Sequence, residues 1–444
     1  MKKLLLILYI SFISQMSNAQ LKSDSVFLNS KKYSIHGQTT LLSQYHFNFK
    51  AAYTGQNSLL TSEPAATSFS ATFFLNYKIG KKTYLVLNPE MAGGKGLSKT
   101  LGIAGFSNGE VYRVGDPTPR PFIGRLYLEQ RIALSNEKMQ VDDDVNQVAE
   151  TTNKDYISLI AGKFSLTDFF DDSQISHDPR SQFFNWALMG NGGWDYAANT
   201  RGYTIGAVVQ ALYKDYCLRT ALTTVPVEAN GPELQFIWAK AMGFVIEFEK
   251  THLFQKSATQ FTTFHTGYFI NFAHMGNYQS SIANAALIGT TPNILDSRQY
   301  GRSKWGFYAS ADNNFGPYHF FLKGSFNDGK NETWAFTEID KSFTIGFQWD
   351  GELWKSKQDR FAIAYVNNNL SADHKLYLQK GGYGFLIGDG KLNYGSEQIF
   401  EAYYSCHLTK QIFLSPDYQF VINPAYNKDR GPVHIVGLRL HADF

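Results

Sequence analysis

The sequence predicts an all-β protein, a transmembrane antiparallel β-barrel of about sixteen strands with one connection folded inward as a constriction loop. Three observations predict this fold: strands of about ten to twelve residues with alternating polarity, connections that alternate between long and short, and charged side chains on the strand face that a soluble protein would bury. Tyrosine, phenylalanine and tryptophan also make up 16% of the 444 residues, which is well above ordinary usage.

Residues 1–19 have the pattern of a secretory signal peptide. A basic start is followed by an apolar stretch from Leu4 to Ile13 and by small residues at positions 17–19. The apolar stretch is too short to cross a bilayer as a helix, and a short N-terminal anchor is the alternative interpretation. The remaining residues, 20–444, contain no run of 18 apolar residues and are predicted to form one barrel domain.

Charge and motif content argue against several classes of protein. The 41 Lys and Arg residues nearly balance the 38 Asp and Glu residues, so the net charge of +3 argues against a strongly basic nucleic-acid-binding protein. Cys217 and Cys406 are too few for a disulfide framework, and we treat them as structurally incidental. The common metal, nucleotide and nucleophile motifs are absent from the sequence. We therefore predict neither a cofactor nor an enzyme.

Alternating polarity predicts sixteen strands. Each is about twice as long as the average strand of a soluble domain, whereas a tilted strand needs about 9 to 11 residues to cross a membrane. An even number of strands also returns both ends of the barrel to the same side. The predicted strands lie near residues 35–47, 68–79, 83–92, 123–134, 156–165, 203–213, 216–225, 242–253, 261–275, 305–315, 318–327, 342–353, 360–370, 398–408, 412–424 and 433–444.

The connections between these strands alternate in length. Long loops at the outer end and tight turns at the inner end are the pattern of bacterial outer-membrane barrels. One inner connection, at about 135–155, is an exception because it is long and acidic, with Asp142, Asp143, Asp144 and Glu150. The predicted outer loops are 48–67, 93–122, 166–202, 226–241, 276–304, 328–341, 371–397 and 425–432.

Side-chain alternation within the strands predicts a polar interior. In the last strand, Leu438 and Leu440 share one face while Arg439 and His441 share the other, and the same division recurs in several strands. Burying unpaired charges in a dry core costs several kcal/mol each, so we expect a water-filled lumen. Aromatic residues near strand ends are predicted to form the girdles at the membrane surface: Tyr84, Tyr203, Tyr213, Tyr216, Trp305 and Tyr318.

The third outer loop, residues 166–202, is predicted to narrow this lumen. It is the longest connection and is rich in aromatic and charged residues. Loops longer than about 15 residues are usually functional or disordered, and the aromatic content favours an ordered loop. We therefore expect it to fold inward as the constriction.

This loop and the end of the chain resemble the OprB-type carbohydrate-selective porins of Gram-negative outer membranes. The resemblance depends on residues 185–189 (NWALM), 194–204 (WDYAANTRGYT), 423–432 (NPAYNKDRGP) and 438–444 (LRLHADF). It implies a sixteen-stranded barrel that passes sugars by facilitated diffusion in the outer membrane. It also implies that the terminal Phe444 is the signal read by the barrel-insertion machinery. Similar sequences are also described as manganese-selective porins.

A sugar channel needs weak, repeated binding, in which aromatic rings stack on sugar rings and charged groups exchange hydrogen bonds with hydroxyls. Two alternatives remain open: the loop aromatics anchor the loop to the barrel wall, and the charges pair with one another. Asp195 and Arg201 in particular are candidates for such a pair. The candidates for stacking are Trp186, Trp194 and Tyr196, and those for hydrogen bonding are Arg180, Arg201, Asp195, Arg125, Glu129, Arg131, Arg219 and Glu247.

A channel for divalent cations such as manganese is the alternative within transport. Carboxylates with an imidazole suit such ions, and the loop carries Asp168, Asp171, Asp172, His177 and Asp178. A solvated acidic loop or a structural calcium site would give the same pattern, and inward arginines oppose a cation in the pore.

A barrel hydrolase is the alternative from another class. It would need a nucleophile beside an inward histidine, and Ser405 with His407 or His441 is the nearest arrangement. No spacing singles out a triad, and we do not favour it. Contact with membrane lipid is expected all round the barrel, and association into homo-oligomers is left open because every outer face is apolar.

Overall fold

The computed structural model describes residues 32–111, 118–257 and 260–444, without the side chain of Lys256. The predicted signal peptide, residues 1–19, lies outside the described residues. The barrel contains sixteen strands, and two short strands form a separate ribbon. The strands are β1 (Tyr33–His46), β2 (Ala66–Lys78), β3 (Thr83–Gly94), β4 (Arg120–Ala133), β5 (Lys138–Val141), β6 (Glu150–Asn153), β7 (Tyr156–Phe164), β8 (Thr204–Tyr213), β9 (Tyr216–Thr223), β10 (Met242–Ser257), β11 (Gln260–Met275), β12 (Gln299–Phe315), β13 (Tyr318–Asn327), β14 (Lys341–Asp350), β15 (Arg360–Asn369), β16 (Glu397–His407), β17 (Ile412–Ile422) and β18 (Val433–Asp443).

Each barrel strand pairs antiparallel with its neighbours, in the order of the chain. β4 pairs directly with β7, because β5 and β6 pair only with each other. β1 and β18 close the barrel from Gln38 opposite Asp443 to His46 opposite Ile435. A closed barrel leaves no strand edge unpaired, as a membrane requires. The predicted sixteen-stranded barrel is therefore confirmed.

The last residue seals this closure on the outer wall. The backbones of Phe444 and Gly37 exchange two hydrogen bonds of 2.9 Å. The ring of Phe444 lies where a side chain at position 37 would be, and it meets Phe73 edge-on at 6.3 Å. Glycine at position 37 thus makes room for the terminal aromatic. The role of Phe444 as a signal for barrel insertion stays a prediction.

Among the described residues, three α-helices lie in the long loops, and they were not predicted from the sequence. They are α1 (Trp186–Met189), α2 (Tyr278–Ile288) and α3 (Ala372–Gln379). Their N-caps, Asn185, Asn277 and Ser371, each accept a backbone N–H through the side chain. Within the described ranges, no helix is long and apolar enough to cross a membrane.

The side-chain alternation agrees with the prediction in most strands. Leu128, Phe343 and Leu438 are about half exposed on the outer wall, whereas Arg439 and His441 are buried inside. Among the predicted girdle residues, Tyr213, Tyr216, Trp305 and Tyr318 are exposed on that wall. Tyr84 and Tyr203 are buried inside the barrel, so that part of the prediction is wrong. Their hydroxyls instead reach glutamates, Glu150 for Tyr84 and Glu90 for Tyr203.

The interior is more densely packed than the predicted water-filled lumen. Residues 166–202, which we call the interior loop, cross the barrel and form a buried cluster with the wall and with neighbouring loops. Large side chains such as Phe170, Phe184 and Trp194 are almost completely buried there. Arg439 is also fully buried, beneath the ring of Phe184. The expectation of water throughout the interior was wrong because the loop carries its own apolar core. Cys217 and Cys406 are both free.

Candidate channel and its lining

The interior loop is anchored to carboxylates on several wall strands. The backbone N–H groups of Phe184 and Asn185 donate to the carboxylate of Glu401 on β16, at 2.5 and 3.0 Å. The N–H of Asp171 donates to Glu247 on β10 at 2.7 Å. Because buried N–H groups need acceptors, these wall carboxylates fix the position of the loop backbone.

Asp195 ties the interior loop to a neighbouring outer loop. Its carboxylate accepts the backbone N–H groups of Trp334, Ala335 and Phe336, at 2.9, 3.0 and 2.8 Å. Burial raises the pKa of Asp195, although Lys304 and the three N–H groups oppose the rise. The side chain is fully buried and does not belong to the lining of the cavity described below. Arg201 was the expected partner of Asp195, and three backbone donors occupy this carboxylate instead.

Three other predicted solute-binding residues also lie in this packing. Trp194 is 1% exposed and stacks on Tyr308 at 5.0 Å. Arg219 pairs with Glu247 at 2.8 Å, and the hydroxyl of Tyr308 donates to the same carboxylate. Trp194, Arg219 and Glu247 therefore match the alternative interpretation, in which aromatics anchor the loop and wall charges pair with each other.

A cavity of about 410 Å³ remains between the interior loop and the wall formed by β1–β4. The predicted residues Arg125, Arg180, Trp186, Tyr196 and Arg201 lie on its surface. Ion pairs gather around Arg180, which we call the charged side, and aromatic rings gather around Phe336, which we call the aromatic side. The remaining lining includes Gln38, Ser70, Phe74, Glu90, Ala92, Glu110, Val145, Asp168, His177, Asp178, Met189, Tyr203 and Phe336.

Arg180 is the centre of the charged side. Its guanidinium lies 2.9 Å from Glu110 and 3.8 Å from Glu90. Burial alone would lower the pKa of Arg180, but Glu110, Glu90 and Asp178 raise it well above its ordinary value. Glu90 also accepts the hydroxyl of Tyr203 at 2.7 Å. Arg180 is therefore a permanent cation held between carboxylates at the cavity surface.

Two further arginines extend this charged side. Arg125 forms a bidentate pair with Asp168, with Nε 2.7 Å from the carboxylate, and stacks on the ring of Tyr203. Arg201 lies over the ring of Phe122 at 4.1 Å. Glu129 and Arg131, which were predicted as solute-binding residues, form an ion pair with each other at 2.7 Å. It lies outside the cavity lining, nearer the short-turn end of β4.

Aromatic rings form the aromatic side of the cavity. Trp186 stacks on Phe336 at 6.2 Å with an interplanar angle of 13°, and Tyr196 stacks on the same ring at 5.1 Å and 14°. Phe106 lies behind Trp186 at 5.3 Å. Mutual stacking holds these rings nearly parallel, which gives the cavity a continuous aromatic surface.

The acidic residues considered for a cation are dispersed. Asp168 pairs with Arg125, Asp171 lies 3.9 Å from Lys323, and Asp172 is exposed. Asp178 accepts the N–H of Arg180, and His177 lies on the cavity surface. In the part of the chain that the structure describes, the ligand atoms close enough for a metal belong to Glu247, Glu249 and His265, where Arg219 already contacts both carboxylates.

The histidines considered for catalysis have other neighbours. His441 forms a hydrogen bond of 2.9 Å with Thr40, and His407 lies 3.7 Å from Asp359. Ser405 is buried on β16. No hydrogen bond between Ser405 and either histidine occurs among the described residues.

Comparison with known proteins decides the family. The model of the OprB family, carbohydrate-selective porins, matches residues 56–444. The chain belongs to the OprB family. It is a porin of the Gram-negative outer membrane, as the resemblance in the sequence implied.

Solved structures agree on the fold of this OprB-family porin. The high-pH structure of OprB from Pseudomonas putida has a TM-score of 0.68 and 15% identity, over 93% of this chain and 94% of that one. The outer-membrane channel DcaP of Acinetobacter baumannii has a TM-score of 0.52 and 10% identity, over 93% and 97%. A comparison with curated protein sequences finds no significant match.

Sequence reasoning missed several residues that line the cavity of this OprB-family porin. Glu90 could have been found, because it alternates with outward Met91 on a predicted strand. Glu110 and Phe336 come from other outer loops, and no local pattern marks them. Tyr203 was assigned to the membrane surface because it is an aromatic residue at the end of a predicted strand.

Lowering the pH is expected to shift the ion preference of the porin toward anions. Burial raises the pKa of Glu110, although Arg180 opposes the rise, so this carboxyl takes up a proton at a higher pH than an ordinary glutamate. Protonation removes a negative charge beside Arg180. Reversal potentials in a salt gradient, compared at about pH 7.5 and about pH 5, measure the shift. Glu110→Gln, which cannot titrate there, should shift less, and equal shifts in both proteins would contradict the prediction.

Proposed function

We propose that carbohydrates cross the outer membrane through the cavity between the interior loop and β1–β4. The family consists of carbohydrate-selective porins, and the cavity has the two kinds of surface that a sugar needs. Trp186, Tyr196 and Phe336 provide the aromatic side. Arg180 and its carboxylate partners provide the polar side. The observation that carries the proposal is that these two surfaces line the same cavity.

The aromatic side suits the apolar faces of sugar rings. The C–H groups of a pyranose lie on its two faces, so a ring can slide along Trp186 and Phe336 while its hydroxyls point away from them. The nearly parallel arrangement of these rings offers successive contacts of similar strength. Similar, weak contacts in sequence allow entry without trapping the solute.

The polar side suits the hydroxyl groups. A hydroxyl can accept from the guanidinium of Arg180 and donate to Glu110 or Glu90, so a sugar can insert into an existing ion pair. The ion pairs of Arg180 with Glu110 and Glu90 also disfavour the passage of small ions. The arginines raise the energy of cations, and the nearby carboxylates raise that of anions. A neutral, hydroxyl-rich solute is therefore preferred.

Planar-bilayer conductance with sugar added to one side tests the proposal. Sugars of the glucose and maltose series should block the current in a concentration-dependent manner. Trp186→Ala should weaken the block about tenfold, because loss of one stacked ring costs roughly 1.4 kcal/mol. Trp354→Ala is the matched control, since Trp354 lies in the turn before β15 and contacts Tyr404 instead of the cavity.

The outcome separates the alternatives. Sugar block that Trp186→Ala weakens and Trp354→Ala preserves supports the proposed path. An unchanged block in Trp186→Ala would contradict the path through this cavity. Block by manganese with no response to sugars would contradict the carbohydrate proposal itself and favour a cation channel.

A further inference from the structure

The long inner connection between β4 and β7 enters the barrel. β5 and β6 form its stem, and residues 142–147 form its tip. The backbones of Asp144 and Gln147 close the tip with two hydrogen bonds, of 3.1 and 2.9 Å. Asn146 between them has a φ of 56°, a left-handed conformation that asparagine tolerates better than most residues. The tip is thus a tight turn with a fixed shape.

Wall residues that face the interior hold this tip. Asn76 on β2 donates to the backbone oxygen of Asn146 at 2.5 Å, and Asn88 on β3 donates to its side-chain oxygen at 3.0 Å. Ser34 on β1 donates to the backbone oxygen of Asp144 at 3.1 Å. Because these three wall side chains are buried on the inner face, the tip lies inside the mouth of the barrel.

Side chains on the inner face of the wall also hold the stem of the connection. Glu150 at the start of β6 contacts Lys78 and the hydroxyl of Tyr84, and Arg131 lies 3.8 Å from it. All three partners belong to the inner face of β2, β3 and β4. Contacts at both the tip and the stem hold the connection against one side of the barrel, the side that borders the cavity.

The tip borders the cavity on the side of the short-turn end of the barrel. Val145 is part of the cavity lining. Asn88, which holds the tip, and Glu90, which contacts Arg180, are two residues apart on the inner face of β3, or about 7 Å along the strand. A solute that leaves Arg180 and Glu90 toward the short-turn end therefore meets Val145 and Asn146 next.

We propose that the connection between β4 and β7 is a second selectivity element of the channel. A solute would meet it at the inner end of the channel, after the cavity lined by Arg180 and Trp186. Val145 and Asn146 narrow the path, and the exposed carboxylates of Asp142 and Asp143 favour cations over anions there. Asp143 lies 3.3 Å from His36 on β1. The inference deepens the proposed function, because it requires an open channel along β1–β4, but it does not require that the solute be a sugar.

Enlarging the tip tests the steric part. Val145→Trp should lower the single-channel conductance in potassium chloride, on the order of twofold, because the new side chain enters the narrowed path. Met139→Trp is the matched control: Met139 is 42% exposed, against 46% for Val145, but it lies in the stem opposite Thr152. Equal conductance for Val145→Trp and wild type would overturn the constriction.

Removing charge from the tip tests the electrostatic part. Asp142→Asn and Asp143→Asn should each lower the permeability ratio of potassium to chloride. Glu137→Gln is the control, because it removes one carboxylate from the same connection, where Glu137 pairs with Lys154 at the exposed base. Asp144 is left unchanged, since its carboxylate accepts the N–H of Val145 and shapes the turn. An equal change in Glu137→Gln would overturn the local role of the tip.

These measurements use salt alone and are therefore independent of sugar block. If sugars fail to block the wild-type channel but Val145→Trp still lowers its conductance, the carbohydrate proposal fails and the second constriction stands. If sugars block and Val145→Trp has no effect, the carbohydrate proposal stands and the second constriction fails.

Discussion

Arg180→Ala is expected to abolish most of the sugar block and to make the channel prefer cations. Arg180 is the cation that Glu90, Glu110 and Asp178 share. Without it, these three carboxylates lose their shared cation, and the cavity loses a charged donor of hydrogen bonds to hydroxyls. A hydrogen bond from a charged group contributes about 1.5 to 3 kcal/mol, so the sugar concentration needed for half-maximal block should rise at least about tenfold.

Arg180→Lys separates the contribution of the positive charge from that of the planar guanidinium, which can donate to two acceptors at once. Lysine keeps the positive charge but cannot contact two carboxylates in one plane, so we expect its ion preference to stay near that of wild type while sugar block is weakened. Both quantities can be measured on one bilayer, as reversal potential and as current block. A wild-type sugar response in Arg180→Ala would show that sugars do not contact this part of the cavity.

Asp195→Ala should have the largest effect on the interior loop. The substitution leaves the backbone N–H groups of Trp334, Ala335 and Phe336 buried without their acceptor. Each unsatisfied buried donor costs about 1 to 3 kcal/mol, so we expect a loss of about 3 kcal/mol after partial relaxation. Because Phe336 also supports the aromatic side of the cavity, the change should disturb the channel as well as the stability.

Two measurements check this expectation. Denaturant unfolding of the refolded protein in detergent should show the lower stability, and single-channel recordings should show a larger or noisier conductance. Asp172→Ala is the matched control, because it removes an exposed aspartate from the same loop. Equal stability of Asp195→Ala and Asp172→Ala would show that the three backbone contacts do not hold the loop.

Much of the barrel could be predicted from the sequence because a lipid-facing strand must repeat every two residues. Leu438 and Arg439 show the rule clearly, one on the outer wall and the other inside. The connections predicted to be long and those predicted to be short also alternate along the chain in the structure, with the connection between β4 and β7 as the exception. Strand ends were less exact: β12 begins at Gln299, six residues before its predicted start near 305, because the polar sequence there has no alternation.

The site was only partly predictable because its residues are distant in the sequence. Arg180 and Trp186 were recognised by their loop, but Glu90, Glu110 and Phe336 reach the same cavity from three other segments. Composition could not separate Trp194, which is buried against Tyr308, from Trp186, which lines the cavity. The tip of the connection between β4 and β7 was missed because this connection was noted only as a long, acidic exception among the inner turns.

The anchoring of the interior loop also constrains the order of assembly. Glu401 on β16 and Arg439 on β18 are the groups that hold the backbone at residues 179–185, and both come from the end of the chain. The loop precedes them by more than two hundred residues, so it cannot reach its final position until the last strands have arrived. The pore therefore matures only as the β-sheet closes on itself, and an incompletely inserted chain would present an unfinished, wider passage.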